Sequence, residues 1–562
     1  MNRETKIIII IFILGFFLRL ISLDKIPSEI NRDEAAIGYN AYSLLKTGRD
    51  EFGKGLWPLV FRSFGDYKLP GYIYLTAPLI KIFGLNAYSV RLPAAFFGSL
   101  TIIIVYLLAK EIFSQKKEIP LIVSLVLAFA PFHLHYSRQA YEATVALFFS
   151  LTSIFLVIKS RKNKIFLLLS LPFMLTAFFI YNSPLFILPF LSFWTILIYK
   201  DEFLKDKKVK LIIFLFLFLL SLTIIITANI LKEANKGKTN TTIFNQKEVE
   251  EQINRNIFFL NKKGFPIIVA RIFYNKPFYW LLEYSKNYLA VFNPKFIFIA
   301  SDNNYWHSLG YLDFGNILLV FLPFILLGIF EIIKNLNKKE YLWLLGYFGI
   351  SGIINGFTID SPILSRLLDF HIALVLISSL GLSFFWHWGR HWQADKYRVK
   401  NMSTLLLIIF FITNYLLTYF FVFPEDSPSF WLPGIKEVCR QIKQQEKEYD
   451  LVFFDAETDG SYIFLAFYLP FEPYNFQRQS NRTMRGFDMV TDFGKFIFDR
   501  NILNFKIKEY AEKFPDKNIN ILVAKRLNKE SFIATNKEEV LIVDKLGRAL
   551  WKLSKLSSLE IK

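Results

Sequence analysis

The sequence predicts a polytopic α-helical membrane protein of about eleven spanning helices, with further helices lying at the outer surface and a soluble α/β domain at the C-terminal end. Three observations predict it. Of 562 residues, 53% are hydrophobic and 18% aromatic, with 63 Phe, more apolar side chain than a soluble domain carries. Several windows of about 20 residues hold almost no charge, the length that crosses the hydrocarbon core of a bilayer. Short loops rich in Lys and Arg separate alternate apolar segments, the pattern of cytoplasmic connections.

The spans are expected near 7–23, 90–113, 119–136, 143–159, 165–181, 185–199, 211–230, 316–333, 341–357, 366–386 and 403–423. The first, "IIIIIFILGFFLRLISL", lacks the small-residue cleavage site of a signal peptide and reads as a retained helix. The basic loops are 114–118, 159–164, 200–210, 334–340 and 387–400, and Arg3 and Lys6 add to them at the N-terminus. With eleven spans all of these fall on one side, so the N-terminus is cytoplasmic. The segment 69–84 is apolar but short, holds Pro70, Pro78 and Lys81, and would reverse the side of every later basic loop if it spanned. It reads as an interfacial or re-entrant helix on the outer side. The outer face then carries a first loop (24–89), a short second loop (137–142), a long loop (231–315) and the tail from 424.

Domain boundaries follow from composition: a membrane domain over 1–424 and an extracytoplasmic α/β domain over 425–562. In the tail, "LVFFD" (451–455), "INILVAKR" (519–526) and "EVLIVDKL" (539–546) read as strands, and 433–448 as an amphipathic helix opened by a proline. No Gly-rich phosphate loop occurs in it, which argues against a nucleotide site. The single Cys439 rules out an intrachain disulfide. The net charge of +19 is spread over cytoplasmic loops rather than gathered into a nucleic-acid face.

The informative charges are those off the cytoplasmic side. Arg32, Lys68, Arg91, Arg138 and Arg366 lie at outer helix ends or in outer loops. Ionisable groups near the bilayer are costly and mark functional sites. A set of them at headgroup depth suits the phosphate of a lipid carrier, whereas each alone suits an anionic headgroup or a neighbouring carboxylate. Acidic groups share that side: Asp33, Glu34, Asp66, Glu142 and Asp302, with His307 nearby. Asp33 is either the N-cap of the helix that "EAAIGYNAYSLL" forms or a chemical group, and Glu142 either a first-turn acid or the same. Asp302 and His307 supply at most two metal ligands, fewer than a closed site needs.

A carboxylate beside a phosphate-binding cluster points to transfer of a sugar from a polyprenyl phosphate to an acceptor hydroxyl. The carboxylate deprotonates the hydroxyl as general base, and the cations stabilise the departing phosphate. A single displacement inverts the anomeric centre.

The blocks "NRDEAAIGYNAYSLLKTG", "FGDYKLPGYIYLTAPLIKIFGLNAYSVRLPAA" (64–95), "APFHLHYSRQAYEATVALFF" (130–149), "SDNNYWHSLGYLDFG" (301–315) and "SPILSRLLDFHIALVLISSLGL" (361–382) carry a family resemblance over residues 1–425. They resemble the GT-C membrane glycosyltransferases, in the branch of the protein O-mannosyltransferases and the aminoarabinose lipid A transferases. The resemblance implies that Asp33 is the catalytic base, with Glu34 beside it. It implies that Asp66 and Lys68 line the donor site and that Lys68 meets the donor phosphate, although Leu69 stands where the lipid A enzymes have the first proline of "KPP". Arg138 and Glu142 match the Arg and acid of the second loop, Arg366 a basic residue near the outer end of a late span, and Arg91 joins the substrate-binding set. Some relatives hold a divalent metal near this site and others work without one; Asp66 and His307 are the residues offered for it. The expected partners are a polyprenyl-phosphate-linked sugar, an acceptor on protein, lipid or glycan, and the plasma-membrane lipids of a bacterial envelope.

A transporter or flippase of lipid-linked glycans is the alternative. It calls for ionisable groups at mid-membrane depth and matched broken helices in two halves, and no internal repeat stands out. A scaffold protein with the tail as its binding module is a third reading, and it gives Asp33 no role. Sugar and acceptor identity depend on pocket shape and are not legible in the residues.

Overall fold

The computed structural model describes residues 2–64, 66–203, 207–230, 232, 242–245, 247–304, 306–390, 394–426, 432–456, 460–483, 489–499, 519–527, 539–544 and 547–557. The described chain is mostly helical and forms two compact units. The first contains residues 1–21, 94–137 and 141–419; the second contains 22–93, 138–140 and 420–562.

The first unit is all helix in its regular structure. A helix occupies each of the eleven segments expected to span, from Arg3–Leu20 to Ala394–Leu417. Among the described residues, five helices are long and apolar enough to cross a membrane: Ala87–Ile112, Glu142–Lys159, Val209–Ile230, Leu368–His387 and Ala394–Glu425. Val209–Ile230 and Ala394–Glu425 leave most of their apolar surface uncovered by protein, as a lipid-facing helix does. Small residues set the tightest seam. A Cβ on Gly328 would lie 2.0 Å from the Ile377 carbonyl oxygen, and one on Gly381 1.8 Å from that of Phe324. The helices Leu322–Lys334 and Leu368–His387 therefore touch backbone to backbone, the close approach that glycine permits between membrane helices. Two expected spans are divided: 341–357 into Lys339–Ile350 and Ile353–Gly356, and 119–136 ahead of a proline. Residues 119–136 form two helices, Ile119–Phe129 and Pro131–Tyr136, with Ala130 extended between them. The residue before a proline is driven out of the helical region, and Pro131 brings no N–H to continue the ladder.

The second unit joins residues 22–93 to the tail. Its loop part holds the helix Arg32–Thr47, a hairpin of β1 (Phe61–Ser63) and β2 (Asp66–Lys68), and the helix Pro70–Phe83. The hairpin brings Lys68 opposite Phe61. Its tail part is a sheet in the order β4-β5-β6-β3-β7-β9-β8, made of β3 (Leu451–Asp455), β4 (Asn481–Thr483), β5 (Met489–Phe493), β6 (Phe496–Asp499), β7 (Asn520–Arg526), β8 (Glu539–Val543) and β9 (Ala549–Ser557). β3 is central and parallel to both β6 and β7, and β9 returns antiparallel to β7. One face buries Phe453, Ile497, Ile521 and Val523 together. On the other, Phe454 packs against Trp551 and Phe498. The helix Ile435–Gln444 buries Ile435, Val438, Cys439 and Ile442, the a/d-like stripe that its sequence promises. Composition places the domain boundary at 424–425, whereas contacts group the tail with residues 22–93.

Candidate active site

The Arg32–Thr47 helix opens with a capping box. Asn31 is the N-cap: its side chain accepts from the Glu34 N–H at 2.8 Å, and Glu34 Oε2 accepts from the Asn31 N–H at 3.0 Å. Asp33 is thus not the cap but a first-turn residue, and its carboxylate is released for other work. Gly48 ends the helix in the left-handed conformation.

The two adjacent acids have opposite surroundings. Glu34 is buried, and Arg91 is fully buried against it. Arg91 Nε donates to Glu34 Oε1 at 2.8 Å and Nη2 to Oε2 at 3.0 Å, the fork-on-fork pairing that guanidinium favours. Nη1 donates to the Leu23 and Pro27 carbonyls, and Nη2 also to that of Glu29, so all five N–H groups have partners. The Ala140 N–H completes the acceptance at Glu34 Oε1, at 2.9 Å. Glu34 and Arg91, expected at the substrate, instead face one another and staple residues 23–34 to the second loop.

Asp33 points the other way. Its side chain is 51% exposed, and Oδ1 accepts from Lys68 Nζ at 2.8 Å, while Lys68 itself is only 6% exposed. Lys68 reaches it from the end of β2 and lies 5.5 Å from the Phe64 ring centroid; the Arg32 guanidinium lies 4.6 Å from the same ring. An exposed carboxylate, the lysine paired with it and a second cation thus come from one loop. Asp66 pairs through its backbone with Ser63, and its side chain lies outside the described residues. Arg138 is fully buried, donates to the Ser22 and Ile26 carbonyls at 3.3 and 3.2 Å, and sits 5.0 Å from the Phe420 ring. It orders the loop after the first span.

Two further acids in this unit escaped the sequence reading. Glu29 accepts from the Tyr468 hydroxyl at 3.2 Å, and Glu51 from that of Tyr462 at 2.5 Å and from Asn40 Nδ2 at 3.3 Å. Burial pushes each carboxyl up to about 7 from an ordinary value of 4.5, against the opposing pull of Lys436 and Arg91 on Glu29 and of Arg482 on Glu51. The sign follows from linkage. A carboxyl raised in the folded protein favours the protonated fold, so this stabilisation is complete below pH 4.5 and is lost as pH rises through 7. The second unit is therefore expected to melt at a lower temperature at pH 8 than at pH 6. Glu29→Gln with Glu51→Gln should flatten that dependence in thermal scans.

In the first unit, Glu142 opens the helix Glu142–Lys159, and Arg366 ends the short 3₁₀ turn Leu364–Arg366. Tyr181 lies near Ser365, Arg366 and Glu142. His307 Nδ1 bonds Asp302 Oδ2 at 2.6 Å, and the same oxygen accepts from the Leu364 N–H at 2.8 Å. His307 is walled by Tyr136 and Tyr141, each ring centroid 5.9 Å away. Asp302 and His307 satisfy one another and hold the 301–315 loop to the segment that carries Arg366. Among the described residues no three His, Cys, Asp or Glu side chains gather as a metal ion would require. His307 and Asp66 belong to different compact units. Asp302 and His307 by themselves supply fewer ligands than a closed metal site needs.

Residues 68–226 match the family described as dolichyl-phosphate-mannose-protein mannosyltransferase. The resemblance to the GT-C membrane glycosyltransferases holds. The family's segment includes Lys68, Arg91, Arg138 and Glu142; it leaves Asp33, His307 and Arg366 outside. Solved structures are similar as well. The archaeal oligosaccharyltransferase AglB from Archaeoglobus fulgidus, in complex with an inhibitory peptide and a dolichol-phosphate, matches with a TM-score of 0.49 and 15% identity over 83% of this chain and 63% of that one. ArnT from Cupriavidus metallidurans matches in the apo state with a TM-score of 0.49 and 11% identity over 98% of both chains. Its form bound to undecaprenyl phosphate matches with a TM-score of 0.46 and 11% identity, again over 98% of both. The chain spans less than two thirds of the length of AglB. No curated protein sequence matches it.

Proposed function

We propose that the chain is a membrane glycosyltransferase that moves a sugar from a polyprenyl-phosphate donor to an acceptor hydroxyl on the outer face of the plasma membrane, with inversion. The pairing of an open Asp33 carboxylate with a buried Lys68 at 2.8 Å carries this reading. Asp33 takes the acceptor proton, and the acceptor oxygen forms the new bond to the anomeric carbon. The bond from that carbon to the phosphate oxygen breaks, and the electron pair leaves on the polyprenyl phosphate. Lys68 orients Asp33 and offers its charge to the phosphate; Arg366, Arg138 and Glu142 are donor-side candidates on the strength of the family resemblance. Glu34 and Arg91 hold the helix turn from which Asp33 projects. The topology that goes with this reading has eleven spans, a cytoplasmic N-terminus and an extracytoplasmic tail.

Lys68→Ala tests the donor site. Loss of one charge-assisted contact to phosphate should raise the dissociation constant for undecaprenyl phosphate about tenfold to a hundredfold, measured by calorimetry on the purified chain. An unchanged constant removes Lys68 from the phosphate site. Transfer by Asp33→Asn, taken up below, tests the base.

A further inference from the structure

The tail lines the Arg32–Thr47 helix from end to end. At the first turn, Gly460, at φ +79°, lets its backbone approach Arg32, whose Cδ would lie 2.8 Å from an added Cβ. In the middle, a Cβ on Gly38 would lie 2.5 Å from the Phe467 ring, so that ring of the helix Tyr462–Tyr468 lies directly on the backbone of this one. The Tyr39 hydroxyl donates to the Phe471 carbonyl at 3.0 Å. At the last turns, Gln477 Nε2 donates to Ser43 Oγ, Thr47 Oγ1 and the Asp50 carbonyl at 2.9–3.0 Å.

The two ends of the Tyr462–Tyr468 helix are pinned to acids of the first loop. Tyr462 donates to Glu51, whose backbone carbonyl also accepts from Arg482 Nη2 at 3.1 Å. Tyr468 donates to Glu29. From Glu29 the contacts run on: its carbonyl accepts from Arg91 Nη2 at 2.6 Å, and Arg91 grips Glu34, the neighbour of Asp33. A continuous set of bonds joins the tail to the turn that bears Asp33.

We infer that the tail is a positioning part of the catalytic unit: Tyr462 and Tyr468, through Glu51 and Glu29, fix the helix from which Asp33 works. This rests on the reading of Asp33 as base. A general base acts only at hydrogen-bond reach of its proton, and a displacement of about 1 Å can cost a hundredfold in rate. The capping box and the Arg91 fork hold the first turn at one end, and the tail's contacts along the rest of the helix keep that turn from tilting. The role differs from acceptor recruitment, which would act on binding rather than on turnover.

The test uses the full-length chain in nanodiscs, with Tyr462→Phe, Tyr468→Phe and the pair. Phenylalanine keeps the ring packing and removes only the hydroxyl. Gln477→Ala, which frees the far end of the same seam, is a second route that leaves both acids intact. Donor is the lipid-linked sugar turned over fastest by the unmodified chain, from a panel of polyprenyl-phosphate hexoses and pentoses. The paired variant should lose about tenfold or more in kcat with KM for the donor within about twofold. Amide exchange over residues 35–44 should quicken while that of residues 368–387 stays unchanged. Unchanged kcat and unchanged exchange overturn the inference. A raised KM at constant kcat also overturns it and assigns the tail to substrate recruitment. If Asp33→Asn retains transfer while the tyrosine variants quicken exchange, the base reading has failed and the clamp stands as a structural fact alone.

Discussion

Asp33→Asn is expected to lower sugar transfer by about 10²–10⁴-fold, the share that a positioned general base supplies. Asparagine keeps the volume and the acceptor oxygen that meets Lys68 Nζ, so the local geometry survives. What it loses is the capacity to take a proton. Undecaprenyl phosphate binding and membrane insertion should therefore persist, and the loss should fall on kcat. Asp33 is 51% exposed, and asparagine leaves the buried Lys68 an acceptor oxygen, which limits the cost to the fold. Radiolabelled sugar transfer by the purified variant is the measurement; activity within about threefold of the unmodified chain would sink the assignment of Asp33 as the base.

Arg91→Ala should have the largest effect on stability, about 3–5 kcal/mol, because it leaves Glu34 charged, buried and without its guanidinium. Three backbone carbonyls, of Leu23, Pro27 and Glu29, lose a donor in the same step. Arg91→Lys should recover only part of this, since an ammonium has three donors where five are used and cannot match the carboxylate fork. Glu34→Ala should be comparably damaging from the other side. The double replacement by Met at both positions should be milder than either single change, as burial of an apolar pair removes the unpaired charge. Denaturation followed by tryptophan fluorescence checks the order. An Arg91→Ala chain as stable as the original would mean that the pair does not hold the loop.

These two experiments separate neighbouring acids that look alike in one dimension. "RDEAA" offers Asp33 and Glu34 with the same charge and almost the same position. The difference lies in Arg91, 57 residues on from Glu34, and in the Ala140 N–H, 106 residues on. No local pattern reports either. The capping box was legible in part, since Asn31 followed by Glu34 three residues later is its signature, yet reading Asp33 as the cap was open on the same residues. Pro131 was legible too, and the break at Ala130 is its ordinary consequence. Glu29 and Glu51 were invisible for a different reason. In sequence they are loop acids; their partners Tyr468 and Tyr462 lie 439 and 411 residues away.

By itself the sequence determined the membrane character of the chain, the eleven helical segments and three strands of the tail, 451–455, 519–526 and 539–546, but not the other four strands of that sheet. Apolar runs, basic loops and alternating strand patterns are local properties, and each is set within about twenty residues. Tertiary structure alone decided which acid is exposed and which is stapled, that Arg91 grips Glu34, and that residues 22–93 share a compact unit with the tail. Those outcomes depend on which distant groups meet, and a carboxylate becomes a base or a brace according to the donors that surround it.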